Sequence, residues 1–166
     1  MDDANDRAYA RAPEFDDVVQ LCRRLNEAGA RYVLIGGFAV AIHGFTRATK
    51  DIDLLVDPSP ENVRAIRGAL SALPDNAVAE LGDLDIEKYG VVRVADEFVV
   101  DLMGAACGLN YSDAVTAGID IFVAGGVEIP VARKEFLIRT KDTVRPHDAV
   151  DVQYLRARIE EERGSE

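Results

Sequence analysis

The sequence predicts an α/β (α+β) domain, helices packed against strands, from three observations. An amphipathic helical pattern precedes a short β-branched run. A diglycine separates that run from an alternating Asp-Ile-Asp-Leu segment, and the second half holds two hairpin patterns ahead of two terminal helices. With 166 residues and 48% hydrophobic content, the chain has material for one core and is too short for two ordinary domains. The domain is expected over residues 13–162, with an acidic, mobile segment 1–12 before it and a tail at 163–166.

Phe15, Val18, Cys22 and Leu25 recur at helical spacing and stop before Gly29, predicting a helix over 13–28 closed by a glycine C-cap. The run RYVLIG (31–36) has the aromatic and β-branched content of a strand, and 38–43 has room for only two helical turns. DIDLLV (51–56) alternates polar and apolar residues as a second strand. In DPSPENVRAIRGALSALP, Ser59 fits an N-cap and Pro60 the first helical position, and Val63, Ile66, Leu70 and Leu73 share one face. Residues 75–90 carry little pattern. GVVRVADEFVVDLMG predicts strands over 91–95 and 98–103 joined by a tight turn at Asp96-Glu97. A second hairpin is expected at 119–123 and 127–131, turning at Gly125-Gly126. The last helices are expected over 134–144, stopped by Pro146, and over 147–162, where Ala149, Val152, Leu155 and Ile159 form the buried stripe.

Composition narrows the function. The formal charge of −11 argues against affinity built on coating nucleic-acid phosphates with Lys and Arg. The ends hold most of it: residues 1–20 carry −4 and 160–166 carry −3, leaving −4 between them and room for a local basic groove. No basic recognition helix suggests a helix-turn-helix regulator. The start is acidic where a signal peptide is basic and then apolar, and no apolar run is long enough to span a bilayer, so a cytoplasmic protein with no membrane partner is expected. Cys22 and Cys107 lie far apart in no ligand-like spacing and read as core thiols.

Asp51 and Asp53 are two positions apart on one strand, so their side chains share a face about 6.6 Å apart. Two such carboxylates repel by a few kcal/mol at an effective dielectric of about 20, and a divalent cation reverses the sign. Carboxylate oxygens without His or Cys suit a hard ion such as Mg²⁺. Gly36-Gly37 ends the preceding strand and opens a helix, an arrangement that lets backbone N–H groups approach a triphosphate, although there is no P-loop lysine motif. Asp101, an acid inside the apolar run 98–103, is the third candidate; its alternative is an acid on the solvated face of a hairpin.

In order, Ile35-Gly36-Gly37, thirteen intervening residues, Asp51-Ile52-Asp53-Leu54 and Val100-Asp101-Leu102 resemble the minimal nucleotidyltransferases of the DNA polymerase β superfamily. Ala39, His43-Gly44, Arg47 and Thr49, and the later Lys141, Arg145, Asp148 and Asp151, are similar to the AbiEii-type branch. The resemblance implies a nucleotidyltransferase fold with a mixed sheet, and Mg²⁺-dependent transfer of a nucleoside monophosphate from an NTP such as ATP to a hydroxyl of RNA, protein or a small molecule. It implies catalytic and metal-binding roles for Asp51, Asp53 and Asp101, and offers a toxin-antitoxin or phage-defence setting. Nucleotide contacts are expected from Gly36, Gly37, Arg47, Thr49, Lys141 and Arg145. Many relatives have Ser at Gly37, so the missing hydroxyl contact must come from backbone or from Arg47.

Alternatives stay open for several residues. Arg47 either binds phosphate or pairs with an acid; Thr49 either meets the nucleotide or stabilises the turn; His43 fits a hydrogen-bonded structural role. Lys141 and Arg145, four apart on one expected helix face, form a cationic edge to the cleft or balance Asp148 and Asp151. A non-catalytic nucleotide-binding module of a two-component system is the rival reading, and a homodimer or partner protein is expected to close an open cleft.

Overall fold

The protein is described here by a computed structural model covering residues 10–165. The expected mobile segment 1–12 lies outside the described residues as far as residue 9. Within its remainder, Arg11 donates its backbone N–H to the Glu97 carbonyl and forks onto Asp17 at 2.7 and 2.8 Å.

Helix α1 (Phe15–Glu27) opens with a reciprocal cap, Glu14 with Asp17, and ends before Gly29, whose φ of +69° reverses the chain. It buries Val18, Leu21, Cys22 and Leu25. Strand β1 (Tyr32–Ile35) is buried throughout and runs into the short helix α2 (Gly36–Ile42). Strand β2 (Asp51–Val56) follows, then α3 (Pro60–Leu70) with proline in its first turn, as expected. A 3₁₀ turn (Ala77–Glu80) and helix α4 (Asp85–Tyr89) occupy the unpatterned stretch.

The first hairpin is β3 (Val91–Ala95) with β4 (Val99–Met103). A two-residue ladder, β5 (Ala105–Ala106) with β6 (Leu109–Asn110), and helix α5 (Tyr111–Ala117) come next, too short to leave a periodic signal. The second hairpin joins β7 (Ile119–Ala124) to β8 (Val127–Ala132), and α6 (Lys134–Thr140) and α7 (Pro146–Gly164) close the chain.

Six strands form one mixed sheet in the order β3-β4-β2-β1-β8-β7. The β2–β4 and β1–β8 pairs are parallel and the remaining three antiparallel. Ile52, Leu54, Val100 and Leu102 are fully buried in the central strands, which fixes the register, since a one-residue slip would put Asp53 and Asp101 in the core. Among the described residues no helix is long and apolar enough to cross a membrane.

Two expectations are corrected. Cys107 is exposed, not a core thiol: it and Gly108 form the β5–β6 turn with φ of +48° and +80°. The buried stripe of α7 is not Ala149, Val152, Leu155 and Ile159. Ala149 is exposed, Val152 and Ile159 are half-buried, and the buried residues are Asp148, Asp151 and Leu155. The helix turns carboxylates inward because cations from earlier segments wait beneath it.

Candidate active site

The acidic centre follows from strand register. Asp53 pairs with Asp101 across the parallel β2–β4 ladder, and Asp51 stands two residues before Asp53 on the same face. One carboxylate oxygen from each of the three lies within 4.8 Å of the others. Asp101 is only 4% exposed, so the hairpin carries it inward instead of presenting it to solvent. Burial first, and then repulsion from Asp101 and Asp51, pushes the Asp53 carboxyl up to about 7, against the pull of Lys141 and Arg145. An all-oxygen donor set whose charges oppose one another suits a hard divalent cation.

Sequence reasoning missed Arg93. It faces Asp101 across the β3–β4 hairpin and forks onto both of its oxygens, Nε at 2.9 Å and Nη2 at 3.0 Å, with Nη2 also 3.7 Å from Asp51. The expected two-residue turn at 96–97 would pair 95 with 98 and 93 with 100. The turn instead spans 96–98, with the Asp96 N–H donating to the Phe98 carbonyl at 3.2 Å, which pairs 95 with 99 and sets Arg93 opposite Asp101.

The diglycine lies against this centre. Gly36 has φ of +73°, and a Cβ there would run into the Asp53 carboxylate, so only glycine lets β1 turn beside the acids. A Cβ on Gly37 would come within 2.8 Å of Thr49 Oγ1 and 3.2 Å of Arg47 Nη2. The Thr49 hydroxyl donates to the Arg47 carbonyl at 3.3 Å, bracing the turn into β2.

Arg47 forks onto Asp151 at 2.9 and 2.8 Å, and Lys141 Nζ reaches the same carboxylate at 2.9 Å and Asp148 at 3.6 Å. Asp151 is fully buried and Lys141 is 7% exposed. Arg145, whose side chain is largely exposed, donates to Asp148 at 2.8 Å. Lys141 and Arg145 do not share a helix face: Lys141 caps the end of α6 and Arg145 the start of α7. The intervening turn is tied by the Thr143 hydroxyl, which donates to Asp148.

The His43-Gly44 pair is explained by packing. His43 Nε2 donates to the Ala132 carbonyl at 2.9 Å, fixing α2 to β8. Tyr154 of α7 donates its hydroxyl to the His43 carbonyl at 3.2 Å and stacks on Phe45 with centroids 4.8 Å apart. A Cβ on Gly44 would meet that hydroxyl at 2.5 Å, so the glycine admits the tyrosine.

The family model described as nucleotidyl transferase AbiEii toxin, type IV TA system, matches residues 20–136. That span contains the diglycine, all three acids and Arg93, and ends before Lys141 and α7. No curated protein matches the chain.

Proposed function

Since the chain belongs to the AbiEii family of nucleotidyl transferase toxins, we propose that it moves a nucleoside monophosphate from an NTP to an acceptor hydroxyl, releasing pyrophosphate. The observation that carries this reading is the Asp53–Asp101 register, which gathers three carboxylates beside a turn built from two glycines. Asp51, Asp53 and Asp101 are the residues that would hold Mg²⁺. When bound, the cation supplies charge neutralisation for the triphosphate and for the entering and leaving oxygens.

The chain's own groups do the positioning. Backbone N–H groups at Gly36-Gly37 seat the triphosphate, because no side chain keeps it away. Asp101 orients the acceptor hydroxyl and draws its proton. The Thr49 hydroxyl stands beside Gly37 and turns from the Arg47 carbonyl to donate to the triphosphate, the hydroxyl contact that Gly37 lacks. Arg47 and Lys141 are held by Asp151 and favour phosphate through their field, and Arg145, the most exposed of the three, reaches it directly. Residues 13–162 form the domain that carries the activity, in the cytoplasm, with a toxin-antitoxin partner or a second copy completing an open cleft.

The test is incubation with NTPs labelled at the α-phosphate, in Mg²⁺, with RNA, protein and small-molecule pools read by mass spectrometry. A nucleotide added to one pool by wild type, and lost in Asp53→Asn, supports the reading. Cation-dependent NTP binding with no transfer to any pool would make the chain a binding module instead.

A further inference from the structure

We infer that the Arg93 guanidinium is a built-in counter-cation of the Asp51–Asp53–Asp101 cluster that competes with the divalent cation for Asp101 and Asp51. The inference rests on the cluster being a cation site, as proposed above, and adds a residue that decides when it loads.

Arg93 is held in place by the backbone. Its strand partner is Asp101, and the planar fork matches the carboxylate oxygen for oxygen, at 2.9 and 3.0 Å. The same group leans toward Asp51 at 3.7 Å, so one cation already addresses two of the three acids. The side chains are 18% exposed for Arg93 and 5% for Asp101, and such partial desolvation strengthens the attraction relative to a surface pair. Without Arg93, three acids within 4.8 Å would face one another with Asp101 lacking its nearest opposite charge.

Each Asp101 oxygen keeps a second lone pair, so the competition is electrostatic and not steric. A divalent ion shared by Asp51, Asp53 and Asp101 would lie a few ångströms from the guanidinium, where the two cations repel twice as strongly as two unit charges. Arg93 therefore stabilises the metal-free cluster and raises the cation concentration needed to fill it. Loading uses those second lone pairs and works against the charge of the guanidinium.

The experiment is Mn²⁺ titration, read from the loss of the free-ion paramagnetic resonance signal, on wild type, Arg93→Gln, Arg93→Lys, Asp53→Asn, Asp101→Asn and the Arg93→Gln/Asp101→Asn pair. Arg93→Gln should bind Mn²⁺ about tenfold more tightly than wild type, as expected for removing one charge-assisted pair. Arg93→Lys should fall between them, because it keeps the charge and loses the fork. The gain should shrink in the Asp101→Asn background, where Arg93 keeps only Asp51 to address. Melting in chelator should show Arg93→Gln less stable than wild type and raised further by Mn²⁺; if it does not fold, the lysine variant carries the comparison. Equal or weaker binding by the Arg93 variants, with wild type binding and Asp53→Asn not, overturns the competition and leaves the metal site standing. No binding by wild type or any variant removes the metal site and this inference with it.

Discussion

Arg47 donates hydrogen bonds at 2.9 and 2.8 Å to the two carboxylate oxygens of Asp151, a fully buried residue 104 positions later in the chain. The pair ties the loop between α2 and β2 to the last helix, and Lys141 completes it from a third segment. A buried ion pair contributes little net stability against an apolar substitute, whereas breaking one strands a charge. Asp151→Ala should therefore cost about 3–5 kcal/mol in urea unfolding. A cost below about 1 kcal/mol would mean that the loop and α7 are docked by other contacts.

Asp148 and Asp151 set the acid limit. Burial alone would raise both carboxyls. For Asp151 the bonds from Arg47 and Lys141 outweigh it, and for Asp148 the Thr143 hydroxyl with Lys141 and Arg145, so both lie below the ordinary range. A carboxyl depressed in the folded state contributes stability above its unfolded pKa, near 3.9, that is lost as pH falls through the folded value. Urea midpoints should drop steeply below about pH 4, and Asp151→Asn should shallow that drop.

Asp53 titrates with the opposite sign. Its folded carboxyl, at about 7, holds a proton that the unfolded chain gives up near 3.9. Between those values the metal-free protein loses stability as pH rises. In chelator, Asp53→Asn should flatten this decline and gain on the order of 2 kcal/mol at about pH 8, while transfer disappears. The variant would then be more stable and inactive, the signature of a site strained for function. A less stable Asp53→Asn protein at that pH would show that burial and repulsion from Asp101 and Asp51 do not raise the carboxyl.

Gly37 and Thr49 form a testable couple. A serine at 37 brings its Cβ within 2.8 Å of Thr49 Oγ1 and 2.9 Å of its Cγ2. Gly37→Ser should cost about 1–3 kcal/mol, the usual range for overpacking, and Thr49→Ala should restore most of it in the double variant. Additive losses in thermal melts would place the conflict elsewhere. Gly36→Ala has no such rescue, since its φ of +73° is strained for any side chain and its Cβ meets Asp53.

Much of the centre is legible in the sequence because period-two alternation is local. Asp51-Ile52-Asp53-Leu54 declares its two faces without reference to any other element, whereas Arg93 meets Asp101 only because the turn spans three residues, 96–98, one more than the Asp96-Glu97 turn the sequence suggests. The inward face of α7 is not legible in this way. Asp148 and Asp151 look like solvent-facing residues until Arg47 and Lys141, distant in sequence, arrive beneath them. Tyr154 is equally silent, because its partners Phe45 and the His43 carbonyl lie more than a hundred residues earlier. Helices α4 and α5, of five and seven residues, escape because periodicity needs more turns to show, whereas the equally short α2 and α6 are marked by the diglycine before one and Pro146 after the other.

The most direct test of the central claim is anomalous diffraction from crystals grown with Mn²⁺ and a non-hydrolysable NTP analogue. An anomalous peak is expected about 2.0–2.3 Å from oxygens of Asp51 and Asp53, shared with Asp101, with triphosphate density at Gly36-Gly37. An ordered analogue with its metal bound elsewhere, and the three carboxylates ligating nothing, would contradict it.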